Sequence, residues 1–238
     1  ITSFSLPPYN FVFLNFLSLP ILLYILINYT HKKIISFFVG WVFGFGYFIS
    51  NLYWIINSLT FDVNFKLIIP FALILIPIFL GIFYGLVTFL SSLFNLKNKL
   101  SSVLIFSIFF GGIEFLRSFI LGGFPWNLLV FSVSNNLPSL QILSYVGTYS
   151  LNLLSITIFL LPIIFFHKYK SSAAVIFFCF GLILVVINYS YGYFNIKNFE
   201  KKKYDKLDSV IRVVSPKVPI ERFLTNQYPE KNIDELLT

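Results

Sequence analysis

Residues 111–127 read GGIEFLRSFILGGFPWN. The stretch closes a long apolar run, yet Glu114 and Arg117 stand in it three residues apart, and Gly122, Gly123 and Pro125 follow at once. At that spacing the two charges share one face of a helix. A lone charge at mid-membrane costs about 2.5–3.5 kcal/mol on insertion scales, a cost lowered by pairing or by snorkelling to the interface. Two readings are open. One is a structural ion pair facing other helices. The other is a polar site near the bilayer surface that touches a lipid head group or orients a loop. Glycine accepts the left-handed conformation past a helix end, Pro125 forbids continuation, and Phe124 before it is pushed towards extended backbone. The helix is therefore expected to end near 121, with Trp126 at the water–lipid boundary. The apolar run NLLVFSVSNN, residues 127–136, is too short to span and suggests a re-entrant or interfacial element.

The rest of the chain supports a membrane setting. It is 58% hydrophobic and 11% charged, against about 25% charged for soluble domains. Mean hydropathy is +0.86. Six spans are predicted, over 11–29, 34–59, 67–94, 100–121, 139–166 and 173–194, each near or above the roughly 20 residues needed to cross the hydrocarbon layer. Backbone in lipid must satisfy its own hydrogen bonds, and the alternation of a barrel is missing, so the expected fold is an all-α polytopic bundle. Gly40 and Gly44 form a small-xxx-small pair for close packing. Asn51, Tyr53 and Trp54 fall towards the same end as the 122–138 loop.

The net charge is +8, but Lys and Arg sit in short clusters between spans, a pattern of topology rather than of nucleic-acid recognition. The odd loops hold Lys32 and Lys33, Lys97 and Lys99, Lys168 and Lys170, while the even loops hold only Lys66. The positive-inside rule places the odd loops in the cytoplasm. Residues 1–10, the 122–138 loop and the tail past 194 then lie outside. Lys197, Lys201, Lys202, Lys203 and Lys206 run against this in a basic linker, 195–208; a long following domain weakens the rule there.

From 209 the character changes. SVIRVVSPKVP reads as a strand ending at Pro216 and Pro219, and NQYPEKNIDELLT as a helix start. Together they suggest the beginning of a soluble α/β domain, incomplete at Thr238. With Ile1 at the start and no Met, the chain is expected to be a fragment cut at both ends. The single cysteine, Cys179, is expected to be buried mid-span as a small hydrophobe rather than a nucleophile. No metal-ligand cluster, phosphate loop or catalytic constellation is seen, and no cofactor is expected.

EFLRSFILGGFPWNLLVFS, residues 114–132, resembles a signature of bacterial apolipoprotein N-acyltransferases. SLPPYN (5–10), GFGYFISNLYWIINSL (44–59) and IRVVSPKVPIERF (211–223) are similar to further blocks of that family, in the same order. The last departs from the family pattern at Ser215, Pro216 and Lys217. The resemblance implies a multi-pass inner-membrane enzyme with a nitrilase-like (carbon–nitrogen hydrolase) domain on the periplasmic side. It implies a covalent ping-pong reaction. A cysteine thiolate takes a fatty acyl chain from a phospholipid, and the α-amino group of a diacylglyceryl-cysteine on a lipoprotein then attacks the thioester. The Glu–Lys–Cys triad it implies would lie beyond Thr238, so this fragment is expected to be inactive alone. Glu114, Arg117, Phe124, Pro125 and Trp126 are the candidates for the membrane side of the cleft. A monomer is expected. A polytopic transporter or a non-catalytic scaffold is the alternative.

Overall fold

The computed structural model describes residues 1–60, 63–97, 100–120, 123–166 and 172–202. Every regular element among them is helical. The helices are α1 (Asn15–Tyr29), α2 (Lys33–Leu52), α3 (Ile69–Ser91), α4 (Ser101–Arg117), α5 (Leu137–Leu140), α6 (Leu143–Leu160), α7 (Ile163–Phe166) and α8 (Ser172–Glu200). Tight 3-10 turns extend α1, α2 and α3 at one end, and another covers Leu129–Val133. The expected strand and helix of 209–238 lie outside the described residues.

Among the described residues, five helical stretches are long and apolar enough to cross a membrane: Val12–Tyr29, Lys33–Asn57, Phe65–Ser91, Leu143–Phe165 and Ser172–Glu200. The outward faces carry bare aliphatic side chains such as Ile108, Ile176 and Val186. A surface that apolar belongs against lipid tails. The protein is thus a multi-pass helical membrane bundle.

The expected span 100–121 differs. Its α-helix stops at Arg117 after 17 residues, about 25 Å at 1.5 Å per residue. The chain turns there because Arg117 draws the following loop back onto the helix. Tyr84, Phe106, Phe110 and Glu114 are buried where α4 packs between α3 and α6. The last helix also departs from expectation. It runs to Glu200, so the start of the basic linker is helical, with the Lys197 ammonium 5.9 Å from the Tyr193 ring centre.

The α2–α3 pair is the most extensive packing in the bundle. A Cβ on Gly40 would strike Thr88 Oγ1 and the Tyr84 carbonyl. One on Gly44 would come within 2.9 Å of Tyr84 Cβ and 3.0 Å of Gly81 Cα. With backbones this close, Thr88 Oγ1 donates across the pair to the Ser36 carbonyl at 2.6 Å. Trp41 Nε1 donates to the Ile78 carbonyl at 3.1 Å. Small residues permit such approach, and polar groups reinforce it where there is no water to compete.

By contrast, α8 rests on the bundle through one narrow face of small residues, Ala174, Gly181 and Gly192. Gly192 lies against the Pro138 carbonyl and Asn188 Nδ2 donates to the Ser139 carbonyl at 3.1 Å. Ala174 is buried at the other end. Gly181 is buried against Leu161, and Cys179, two residues earlier and so on the opposite side of the helix, is exposed, contrary to the expectation of a buried side chain.

Gly40→Leu should separate α2 from α3 and lower the melting temperature in detergent, at an overpacking cost of about 1–3 kcal/mol. Gly46, with nothing within 4 Å of its Cβ position, should accept leucine with little change. Equal melting curves for the two variants would rule out this packing.

Candidate functional site

The loop after α4 is irregular, yet much of it is inside the protein. Leu128, Leu129, Val130 and Ser132 are buried. Irregular backbone away from water leaves amide and carbonyl groups that need partners. Buried side chains from three helices provide them.

Arg117 provides the most. Its side chain is 1% exposed. Nη1 donates to the Phe124 carbonyl at 2.7 Å and Nη2 to the Trp126 carbonyl at 3.1 Å. The Phe124 amide returns a bond to the Arg117 carbonyl at 3.1 Å. Gly123 makes this return possible: its φ is +81°, and a Cβ there would collide with the Ser118 carbonyl. The guanidinium also lies 5.2 Å from the Phe48 ring centre and 6.0 Å from that of Phe124, within cation–π range.

Glu114 is fully buried and 3.9 Å from Arg117 Nη2. That separation is long beside the hydrogen bonds around it. Oε1 accepts from the Tyr84 hydroxyl at 3.0 Å, and Oε2 accepts from Asn152 Nδ2. Asn152 Oδ1 in turn accepts the Val130 amide at 2.9 Å. From α2, the Tyr47 hydroxyl donates to the Asn127 carbonyl at 2.7 Å. From α1, Asn15 Nδ2 donates to Ser132 Oγ at 3.2 Å. The charges are therefore buried inside protein rather than snorkelled. They are joined less by their own contact than by shared work on residues 124–132.

The remaining candidates sit on this support. Phe124 is half-buried, Pro125 is exposed, and Trp126 is 49% exposed. Trp126 stacks on Trp54 with ring centres 4.8 Å apart and on Phe124 at 5.9 Å. A cavity of about 650 Å³ lies to one side, walled by Phe4, Tyr9, Asn51, Trp54, Asn127 and Phe131 among others. A second, of about 500 Å³, lies under Pro125, Trp126, Leu128 and Tyr149. Gly147, with φ +74°, interrupts the start of α6 beside it. A third, of about 340 Å³, opens between α3 and the end of α4, with Arg117 and Phe124 on its wall. Asn51, Tyr53 and Trp54 do join the loop around one cavity, as their positions suggested.

Sequence reasoning missed Tyr47, Tyr84 and Asn152. Asn152 left a trace, as an amide in an apolar helix. The two tyrosines left none, since tyrosine is common in these spans.

Fold and site together define a multi-pass membrane protein in which a buried polar network shapes an aromatic loop at one end of the bundle. Residues 1–161 match the family model described as the apolipoprotein N-acyltransferase N-terminal domain. The chain is 27% identical over 231 residues to the apolipoprotein N-acyltransferase of Agrobacterium fabrum, covering 93% of this chain and 42% of that protein. It is 30% identical over 165 residues to the enzyme of that name from Brucella melitensis, covering 66% and 31% respectively. The chain belongs to the apolipoprotein N-acyltransferase family. It spans about two-fifths of the length of the first of these relatives.

Arg117→Lys keeps the charge but cannot reproduce the guanidinium fork. It should lower the melting temperature and expose residues 123–130 to protease. Arg117→Met should do more, at about 3–5 kcal/mol, because Glu114 is left buried without its cation. Asn152→Leu, which strands the Val130 amide, should cost about 1–3 kcal/mol. A lysine variant as stable and as protease-resistant as the parent would refute the stapling role.

Proposed function

We propose that this chain is the membrane part of an apolipoprotein N-acyltransferase. The reaction transfers a fatty acyl chain from a phospholipid to the α-amino group of a diacylglyceryl-cysteine on a lipoprotein. A thiolate attacks the phospholipid ester, a thioester forms and the lysophospholipid leaves. The amine then attacks the thioester, the thiolate leaves and an amide forms. Under this reading the Glu–Lys–Cys triad lies C-terminal to Thr238, and residues 1–202 supply the membrane side of the cleft. Glu114 and Arg117 position the loop; Phe124, Pro125 and Trp126 form its lipid-facing rim.

One observation carries the reading: an aromatic loop rigidly held by buried charge between cavities at one end of a membrane bundle. Both substrates are lipid-anchored. Moving an acyl chain through water would cost on the order of 0.8 kcal/mol per CH₂, so the cleft belongs at the bilayer surface. Arg117 is committed to backbone carbonyls of the loop and Glu114 to Tyr84 and Asn152, which favours this reading over a transporter, whose cargo would need the charges free. Loop charges support an inner-membrane orientation with residues 1–10 and the 123–138 region on the periplasmic face.

In the full-length enzyme, Trp126→Ala should leave a folded protein whose acyl transfer to a diacylglyceryl lipopeptide falls on the order of tenfold. A folded variant with undiminished turnover would remove the loop from the active site. Orientation has its own test, in a Cys179→Ser background. A membrane-impermeant maleimide should label Asn135→Cys in spheroplasts, and Lys97→Cys only after permeabilisation. The reverse pattern would invert the topology.

A further inference from the structure

α8 is longer than a bilayer needs. Its 29 residues make a rod of about 43 Å, against about 30 Å of hydrocarbon. The face opposite Ala174, Gly181 and Gly192 changes chemistry in steps along this rod. Ile183, Val186 and Ile187 come first, all exposed. Tyr193 and Phe194 follow, also exposed, with ring centres 5.7 Å apart and edge to face. Lys197 and Lys201 come last. The Lys201 amide donates to the Lys197 carbonyl at 3.3 Å, so the helical turn continues and both lysines fall on one side. Aliphatic, aromatic and cationic groups thus meet, in order, the chains, the glycerol boundary and the head groups of a leaflet.

The two ammonium groups are available. Both lysines are exposed. Lys197 lies 5.9 Å from the Tyr193 ring centre, so its side chain runs back along the helix towards the bilayer. Glu200 stands between the two in sequence, yet among the described residues it forms an ion pair with neither. Residues 195–208 hold five lysines against Glu200, Asp205 and Asp208. The loop-charge reading places them outside, where topology does not call for lysine.

The surface also selects its partner. Another helix would meet bulky side chains where close packing needs small ones. A zwitterionic head group brings a cation of its own, which the lysines repel. A head group with net negative charge brings only what they attract.

We propose that this face of α8 binds a phospholipid of net negative charge. Its phosphate lies between Lys197 and Lys201, its glycerol against Tyr193 and Phe194, and a chain along Ile187 and Ile183. The face points away from the bundle, so this is a boundary lipid that fixes the depth of α8, not a reactant. The inference rests on the membrane setting alone and is independent of the proposed reaction.

The test places a fluorophore beside the lysines, as NBD on Asn198→Cys in a Cys179→Ser background. The labelled chain is put in phosphatidylcholine nanodiscs and titrated with phosphatidylglycerol or phosphatidylcholine bearing the same nitroxide near the head of one chain. Phosphatidylglycerol should reach half-maximal quenching at a several-fold lower mole fraction, and the difference should shrink in about 0.5 M salt. Lys197→Gln combined with Lys201→Gln should bring the two lipids together while leaving the melting temperature unchanged, since both side chains are exposed. Equal quenching by the two lipids in the chain with both lysines overturns the site, with no further variant needed. Weak quenching by either lipid means that protein covers this face, and overturns it too. A preference that survives the double variant belongs to the general basic charge of 197–206 and removes these two lysines from the site.

Discussion

Everything at the open end of this bundle depends on one constraint: irregular backbone placed away from water must be given hydrogen-bond partners. Residues 123–128 leave helical geometry yet enter the protein, and the short 3-10 turn Leu129–Val133 that follows cannot satisfy the amides at its own start, so several carbonyls and amides would otherwise be stranded. Arg117 answers for two carbonyls, Tyr47 for a third, and Asn152 for an amide. Glu114 makes the buried guanidinium tolerable and holds Asn152 in place. Magnitudes decide which contact leads. A charge-assisted hydrogen bond at 2.7 Å is worth about 1.5–3 kcal/mol. At 3.9 Å the ion pair itself serves chiefly to keep the arginine's charge compensated.

That network needs its donors at fixed depth, and the helix packing sets the depth. Glycines at positions 40, 44 and 81 bring α2 and α3 nearly into backbone contact. Tyr47 and Tyr84, one from each helix, then lie with ring centres 5.7 Å apart and reach the loop and Glu114 with their hydroxyls. A wider gap would move both hydroxyls away from their acceptors. The glycine seam is thus part of the site, since Gly40 and Gly44 lie directly against Tyr84.

The same logic explains where the chain is loosely held. α8 is secured at one end by Asn188 and Asn195 to the α5 region and at the other by Ala174 and Phe178. Its outward face needs no such support, because a continuous apolar helix satisfies its backbone internally and faces lipid without cost. Cys179 sits there, exposed for that reason.

Hydropathy alone determined the membrane setting and the position of the long helices, because lipid imposes length and apolarity on any span. The small-xxx-small spacing of Gly40 and Gly44 was legible too, and so was the break signalled by Gly123 and Pro125, since these act through local geometry. The residues of the loop could be named from the 111–127 stretch and its family resemblance. Only the tertiary structure decided what they do. Tyr84 and Asn152 lie 30 and 38 residues from Glu114 along the chain, and no local pattern predicts which buried hydroxyl or amide meets a carboxylate across three helices. Nor could composition reveal that α4 ends at Arg117, because that end is set by a guanidinium bonding to carbonyls that arrive only once the loop has folded back.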